Sequence, residues 1–215
     1  MLSRRLLILA TVVGSLFLAA PGRAQAEDFQ PAKDFVANLA NQTIETMRAK
    51  GVPDSQRVEQ FRRLFVSSVD MPVIGKLVLA RHWRTSTPEQ QQEFLHLFED
   101  VVVLTWSSRF KDAADDVKLE VTDARTDVDG STLVESRIAR DKQEPVPLIW
   151  RLRSHDGAFH VVDLIAEGTS MVFTYREEYA SVINRHGGKV EGLIEELKKL
   201  VARLSQPQAK DGSTG

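Results

Sequence analysis

The chain has 215 residues, of which 28 are basic and 30 acidic; 42% are hydrophobic, 27% charged, and none is cysteine. Those fractions sit near globular averages, which excludes wholesale disorder and a polytopic membrane protein. The even charge balance gives no general field for nucleic acid, and the absent thiols exclude a disulfide framework or a cysteine-based metal or redox centre.

The first segment reads as a leader. Arg4 and Arg5 precede an apolar run from Leu6 to Ala20, Pro21-Gly22 breaks it, and Ala24-Gln25-Ala26 has the small-x-small pattern of a signal-peptidase site. The run is shorter than the roughly 20 residues that a membrane-spanning helix needs. Cleavage after Ala26 is therefore expected, with export to an extracytoplasmic compartment. Removing Arg4, Arg5 and Arg23 leaves a more acidic mature chain. One domain over residues 27–204 is the default at this length. Residues 205–215 are polar and small and read as a disordered tail.

Helical periodicity then opens the mature chain. Phe35, Val36, Leu39, Ile44 and Met47 form one stripe between residues 32 and 50, closed by Gly51 and Pro53. Asp54 or Ser55 can cap a second helix carrying Val58, Phe61, Leu64 and Phe65. Asp70 with Pro72 starts a third, backed by Val73, Ile74, Leu77 and Val78. Thr87-Pro88-Glu89-Gln90 is a capping box with proline at the first helical position, opening a helix to about Phe110.

After Asp116 the period falls to two. Val117, Leu119 and Val121 alternate with polar residues, residues 127–131 turn, and residues 133–138 alternate again. Val146, Leu148, Trp150 and Leu152 make a third strand with Arg151 and Arg153 on its other face. Asp156-Gly157 is a hairpin cue leading into a fourth, residues 159–165. Thr169 or Ser170 caps a return to helix through Ile183, His186-Gly187-Gly188 breaks it, and residues 190–204 form a last amphipathic helix. Helices, a four-stranded meander and more helices define an α+β domain with helices stacked on one sheet face.

The catalytic inventory is thin. None of the five histidines (His82, His96, His155, His160, His186) forms an i,i+4 helical pair or an H-E-x-x-H, so no metal site is expected. Gly168-Thr169-Ser170 begins like a nucleophile elbow, but Val172 stands where the tight turn needs glycine, so Ser170 reads better as a helix cap. Gly75-Lys76 is followed by Leu77, which does not make a phosphate loop. Asp163, between Val162 and Leu164, and His160 remain as candidate bases. Arg81-His82-Trp83-Arg84 sets two guanidinium groups beside an indole, a chemistry suited to phosphate or to a solvated loop. The many large apolar residues suit a filled core or a hollow one equally.

Three stretches carry a resemblance: residues 73–84 (VIGKLVLARHWR) running into 87–98 (TPEQQQEFLHLF); Val162 to Met171 around DLIAEGTSM; and 175–183 (YREEYASVI) followed by 190–197 (VEGLIEEL). In this order and spacing they resemble the MlaC / toluene-tolerance family of periplasmic phospholipid-binding proteins, over roughly residues 32 to 204. The RHWR and ASVI stretches resemble the hopanoid-associated branch, HpnM. The resemblance implies an NTF2-like cone whose sheet and helices enclose an apolar cavity. It implies a carrier of phospholipid, or of a hopanoid-type lipid, without enzymatic activity or cofactor. Such carriers work between an outer-membrane lipoprotein complex and an inner-membrane ABC transporter with an MCE-domain subunit. Carried onto this chain, the cavity walls are expected from Val73, Ile74, Leu77, Phe94, Phe98, Trp150, Leu164, Met171 and Val172, with Arg81 and Arg84 near the headgroup. The competing readings are an enzyme of the same shape using Asp163 or His160 as base, and a lipid-free export adaptor.

Overall fold

The computed structural model describes residues 28–113, 117–140 and 143–206. The expected leader, and the expected tail beyond Gln206, lie outside the described residues. Among the described residues no helix is long and apolar enough to cross a membrane.

Helix α1 (Gln30–Arg48) buries Val36, Leu39, Ala40, Thr43 and Met47 along the anticipated stripe. Gly51, at φ 77°, turns the chain in the left-handed region that suits glycine. Helix α2 (Asp54–Ser68) differs from expectation at its start. Pro53 takes the N-cap position without a side-chain bond, and Asp54 lies inside the first turn, paired with Arg57. The α2–α3 junction is pinned to the sheet, because the Asp70 backbone N–H donates to the Val161 carbonyl at 3.0 Å. Helix α3 (Met71–Leu79) is capped as anticipated, with the Val73 N–H donating to Asp70 Oδ1 at 3.1 Å. A 3₁₀ stretch, Ala80–Thr85, leads to α4 (Pro88–Ala113). The capping box is complete there: the Thr87 N–H donates to Gln90 Oε1 at 2.9 Å and the Gln90 N–H to Thr87 Oγ1 at 3.3 Å.

The sheet is an antiparallel meander in the order β1 (Lys118–Thr126), β2 (Thr132–Ala139), β3 (Val146–His155), β4 (Ala158–Ala166) and β5 (Thr169–Ser170). The two-residue β5 adds a fifth strand to the four expected. The β3–β4 hairpin turns at Asp156 and Gly157, both at positive φ, as its sequence requires. Two bulges interrupt the alternation. Register passes from Val121–Ser136 to Asp123–Glu135, so Thr122 is extra in β1. It passes from Arg151–Asp163 to Leu152–Val161, so Val162 is extra in β4. Helices α5 (Met171–Arg185) and α6 (Val190–Leu204) complete the chain.

Three apolar clusters hold these layers. The largest joins α3, α4, α5 and α6 around Phe94, Phe98, Tyr179 and Leu193. A second packs Ala32 and Val36 of α1 on Ala124, Val134, Leu152 and Val161 of the sheet. A third links α1, α2 and α4 through Met47, Phe61 and Val103. Arg62 fastens α2 to α4, with Nη1 2.7 Å from Glu99 and Nη2 2.8 Å from Asp100. Partial burial opposes its charge, and the two carboxylates more than offset that and raise its pKa.

Two predictions concern stability. A Cβ at Gly192 would meet the Cβ of His186 at the α5–α6 break, a rigid contact close to the backbone. Gly192→Ala should therefore destabilise the chain by about 1–3 kcal/mol in urea titrations, although alanine is the better helix former by about 1 kcal/mol. The β1–β2 turn should respond to acid. Ser131 donates both its N–H and its hydroxyl to Asp129, whose carboxyl is held down at about 2. Asp127 is held below its usual value by the Val128 N–H and then by Arg151. Their stabilisation is complete above the unfolded carboxylate value of about 3.9 and is lost as pH falls through the folded values. Asp129→Asn should melt below wild type near neutral pH, with the gap closing below about pH 3, as thermal melts across that range would show.

Candidate functional site

Between the three clusters lies a cavity of about 260 Å³, bounded by the inner face of the sheet and by α1, α2, α3, α4 and α5. The bulge at Val162 builds one wall. Regular alternation would put Val161 and Leu164 on opposite faces, whereas the extra residue lets Val161, Leu164 and Ala166 all border the cavity. Trp150 and Leu148, their cross-strand partners, complete that wall. Opposite stand Leu39, Ala40 and Ile44 of α1, Phe61, Leu64 and Phe65 of α2, and Phe98, Val102 and Trp106 of α4.

The outer end of the cavity follows from the topology. Leu119 near the start of β1, Ile138 near the end of β2, Val146 at the start of β3 and Ala166 at the end of β4 all border it. In an antiparallel meander these positions share one end of the sheet. Phe110, in the last turn of α4, and Met171, at the start of α5, meet them there, and all six side chains are partly exposed. We take this end, with its six partly exposed side chains, as the mouth.

The walls are apolar because their few polar groups bond elsewhere. Thr43 turns its hydroxyl to donate to the Leu39 carbonyl of its own helix at 2.8 Å. The Trp150 indole N–H donates to Ser136 Oγ at 3.0 Å, and the Ser136 hydroxyl donates to the Leu148 carbonyl at 3.1 Å. Asp163 accepts three hydrogen bonds: Oδ1 from the Leu164 N–H (2.8 Å) and the Val172 N–H (3.1 Å), and Oδ2 from the Ser170 hydroxyl (2.6 Å). Ser170 in turn accepts from the Phe173 N–H at 3.0 Å and caps α5. The carboxylate thus joins β4, β5 and the helix N-terminus, where negative charge is favoured. The Tyr175 hydroxyl is a further polar group of the lining, and burial raises its pKa. Such a space offers dispersion and water exclusion to a hydrocarbon ligand and no acid–base pair to a reaction.

A family model described as MlaC protein matches residues 37–199. The chain belongs to the MlaC family. Among solved structures it is similar to the phospholipid-binding protein from Ralstonia solanacearum in complex with a phospholipid. The TM-score is 0.71 at 26% identity, covering 81% of this chain and 99% of that one. The mixed helical and antiparallel architecture is the MlaC-like fold that the sequence motifs implied.

This MlaC chain places six of the expected wall residues on the cavity: Ile74, Phe98, Trp150, Leu164, Met171 and Val172. Val73, Leu77 and Phe94 are not among its lining residues. Leu77 is 46% exposed on the outer side of α3. Phe94 is fully buried but stacks on Phe98 at 5.5 Å within the helical cluster, one layer back from the cavity. Arg81 and Arg84 do not border it either. They precede the N-terminus of α4, whereas the mouth lies at its C-terminus, roughly 30 Å along the helix at 1.5 Å per residue. Arg81 borders a separate surface depression with Val78, His82 and Arg176. His160 is also off the cavity, and its Nδ1 is buried without a hydrogen-bond partner among the described residues. The wall contributions of α1 and α2 were absent from the expected set. Their helical stripes were legible, but a stripe does not say whether it faces side chains or a void. Among the described residues no group of three or more His, Asp or Glu could hold a metal ion.

Asp163→Ala should cost more than Ser170→Ala. The first orphans two backbone N–H donors and a hydroxyl, and a loss of roughly 2–4 kcal/mol is expected; the second removes one cap, about 1 kcal/mol. Urea unfolding of both variants checks the order, and a larger loss for Ser170→Ala would contradict the junction role of the carboxylate.

Proposed function

We propose that this chain is a periplasmic lipid carrier that buries the acyl chains of a phospholipid in its apolar cavity. It shuttles the lipid between the membranes as the soluble component of an ABC transport system. The observation that carries this reading is the cavity itself, whose polar wall groups are turned into internal hydrogen bonds. Membership of the MlaC family and the likeness to a phospholipid-bound structure support it. An outer-membrane lipoprotein complex and an MCE-domain subunit of the inner-membrane transporter are the docking partners in this proposal.

Burying a methylene is worth about 0.8 kcal/mol, so two chains of roughly 16 carbons represent about 25 kcal/mol gross. A free lipid cannot cross an aqueous gap at a useful rate against that barrier. A carrier needs only to match the bilayer's hydrocarbon environment, which dispenses with catalytic groups. The volume of about 260 Å³ lies just below the roughly 300–1,000 Å³ typical of ligand pockets. Loading whole chains therefore widens the space, and the partly exposed side chains at the mouth have the freedom to move.

Native mass spectrometry and lipid extraction of purified mature protein test the proposal. Bound phospholipid near one per chain is the expected result, a bound polycyclic lipid would change the ligand class, and lipid-free protein would count against the carrier. Ala40→Phe puts a ring into the cavity from α1. It should lower bound lipid several-fold while leaving the melting temperature of the lipid-free protein unchanged or raised.

A further inference from the structure

Arg109 stands where neither the sequence motifs nor the expected headgroup residues pointed. It lies in the last turns of α4, exposed, with its guanidinium carbon 5.3 Å from the centroid of the Trp106 ring. Trp106 is a wall residue of the cavity and packs against Phe110, at 5.8 Å between ring centroids. The guanidinium thus rests on the aromatic rim of the mouth. Tyr175, a wall residue on α5, lies near enough for the charge of Arg109 to act on its hydroxyl.

No carboxylate among the described residues pairs with Arg109. Glu178, one turn beyond Tyr175, also acts on that hydroxyl but forms no ion pair with the arginine. A guanidinium over an indole face can still offer its planar N–H fork to two oxygens of a phosphate side by side. A bound diacyl lipid with its chains inside leaves its phosphate at this rim, within reach of the Arg109 guanidinium.

We propose that Arg109, seated over Trp106, takes the phosphate diester of the bound lipid. The assignment rests on the carrier reading and adds a polar anchor to it: chains supply affinity, and the phosphate fixes depth and orientation. It also separates phospholipids from uncharged lipids with the same chains.

The test compares dioctanoyl phosphatidylglycerol with dioctanoylglycerol, which has the same chains and no phosphate, by calorimetric titration of delipidated wild type, Arg109→Gln and Arg109→Lys. Wild type should prefer the phospholipid by about tenfold, the low end for a hydrogen bond to a charged group. Arg109→Gln should abolish that preference without changing affinity for the diacylglycerol. Arg109→Lys should restore part of it, because charge remains while the planar fork is lost. An undiminished preference in Arg109→Gln, or equal affinities in wild type, would overturn the assignment and leave the carrier reading standing. No binding of either lipid to wild type would bring down both. Inorganic phosphate at millimolar concentration should give no saturable heat; saturable binding that vanishes in Arg109→Gln would reassign the site to free phosphate.

Discussion

The structure depends on keeping hydrocarbon away from hydrocarbon. Three apolar clusters, one among α3–α6, one between α1 and the sheet, one joining α1, α2 and α4, meet around a space that none of them fills. At about 24 cal/mol per Å³ of cavity, a void of this size costs on the order of 6 kcal/mol, comparable with the net stability of many domains. The scaffold must therefore resist collapse. It does so with directional contacts at the seams: Arg62 between Glu99 and Asp100, the Asp70 N–H on the Val161 carbonyl, and Asp163 across β4, β5 and α5. A ligand that enters recovers the dispersion energy the empty walls forgo, and by linkage stabilises the fold as it binds.

Much of this was legible in the chain. The Thr87–Gln90 box, the Asp70 cap, the Asp156-Gly157 hairpin and the Ser170 cap were readable because each is local: residue type, offset and backbone geometry determine one another within four positions. The meander followed from the change of period after Asp116. What escaped was non-local. Thr122 and Val162 as bulge residues have no signature in composition, since an extra residue becomes visible only against its partner strand. Arg81 and Arg84 seemed suited to a headgroup because they flank an indole. Their distance from the mouth is set by the length of α4 and by which of its ends meets the sheet, and neither is written in the RHWR motif. Arg109 escaped for the converse reason: a single cation near the end of a long helix looks solvated until Trp106 is found beneath it.

The polar economy of the interior bears on whether Asp163 can serve as a base. A catalytic carboxylate needs an open lone pair facing the substrate. Asp163 has the burial and the location, but three donors occupy its oxygens, and two of them are backbone groups, Leu164 of β4 and Val172 in the first turn of α5, that cannot move aside without disturbing those elements. The same residue that invited a catalytic reading is thus the rivet of the wall. Thr43 and Trp150 follow the same rule, each turning a polar atom to a protein partner and presenting carbon to the cavity.

The two bulges have a consequence for how such a sheet can vary over evolutionary time. A strand that faces a cavity is ordinarily intolerant of gaining or losing a single codon, because every side chain beyond the change would trade places with its neighbour across the plane. In β1 and β4 the surplus residue is already absorbed by a local pucker. Omitting it would restore a regular strand while Ala124, Leu164 and Ala166 kept their inward aspect. Length polymorphism among descendants of this sequence is therefore best tolerated at Thr122 and Val162, and indels elsewhere in these two strands would evert the lining.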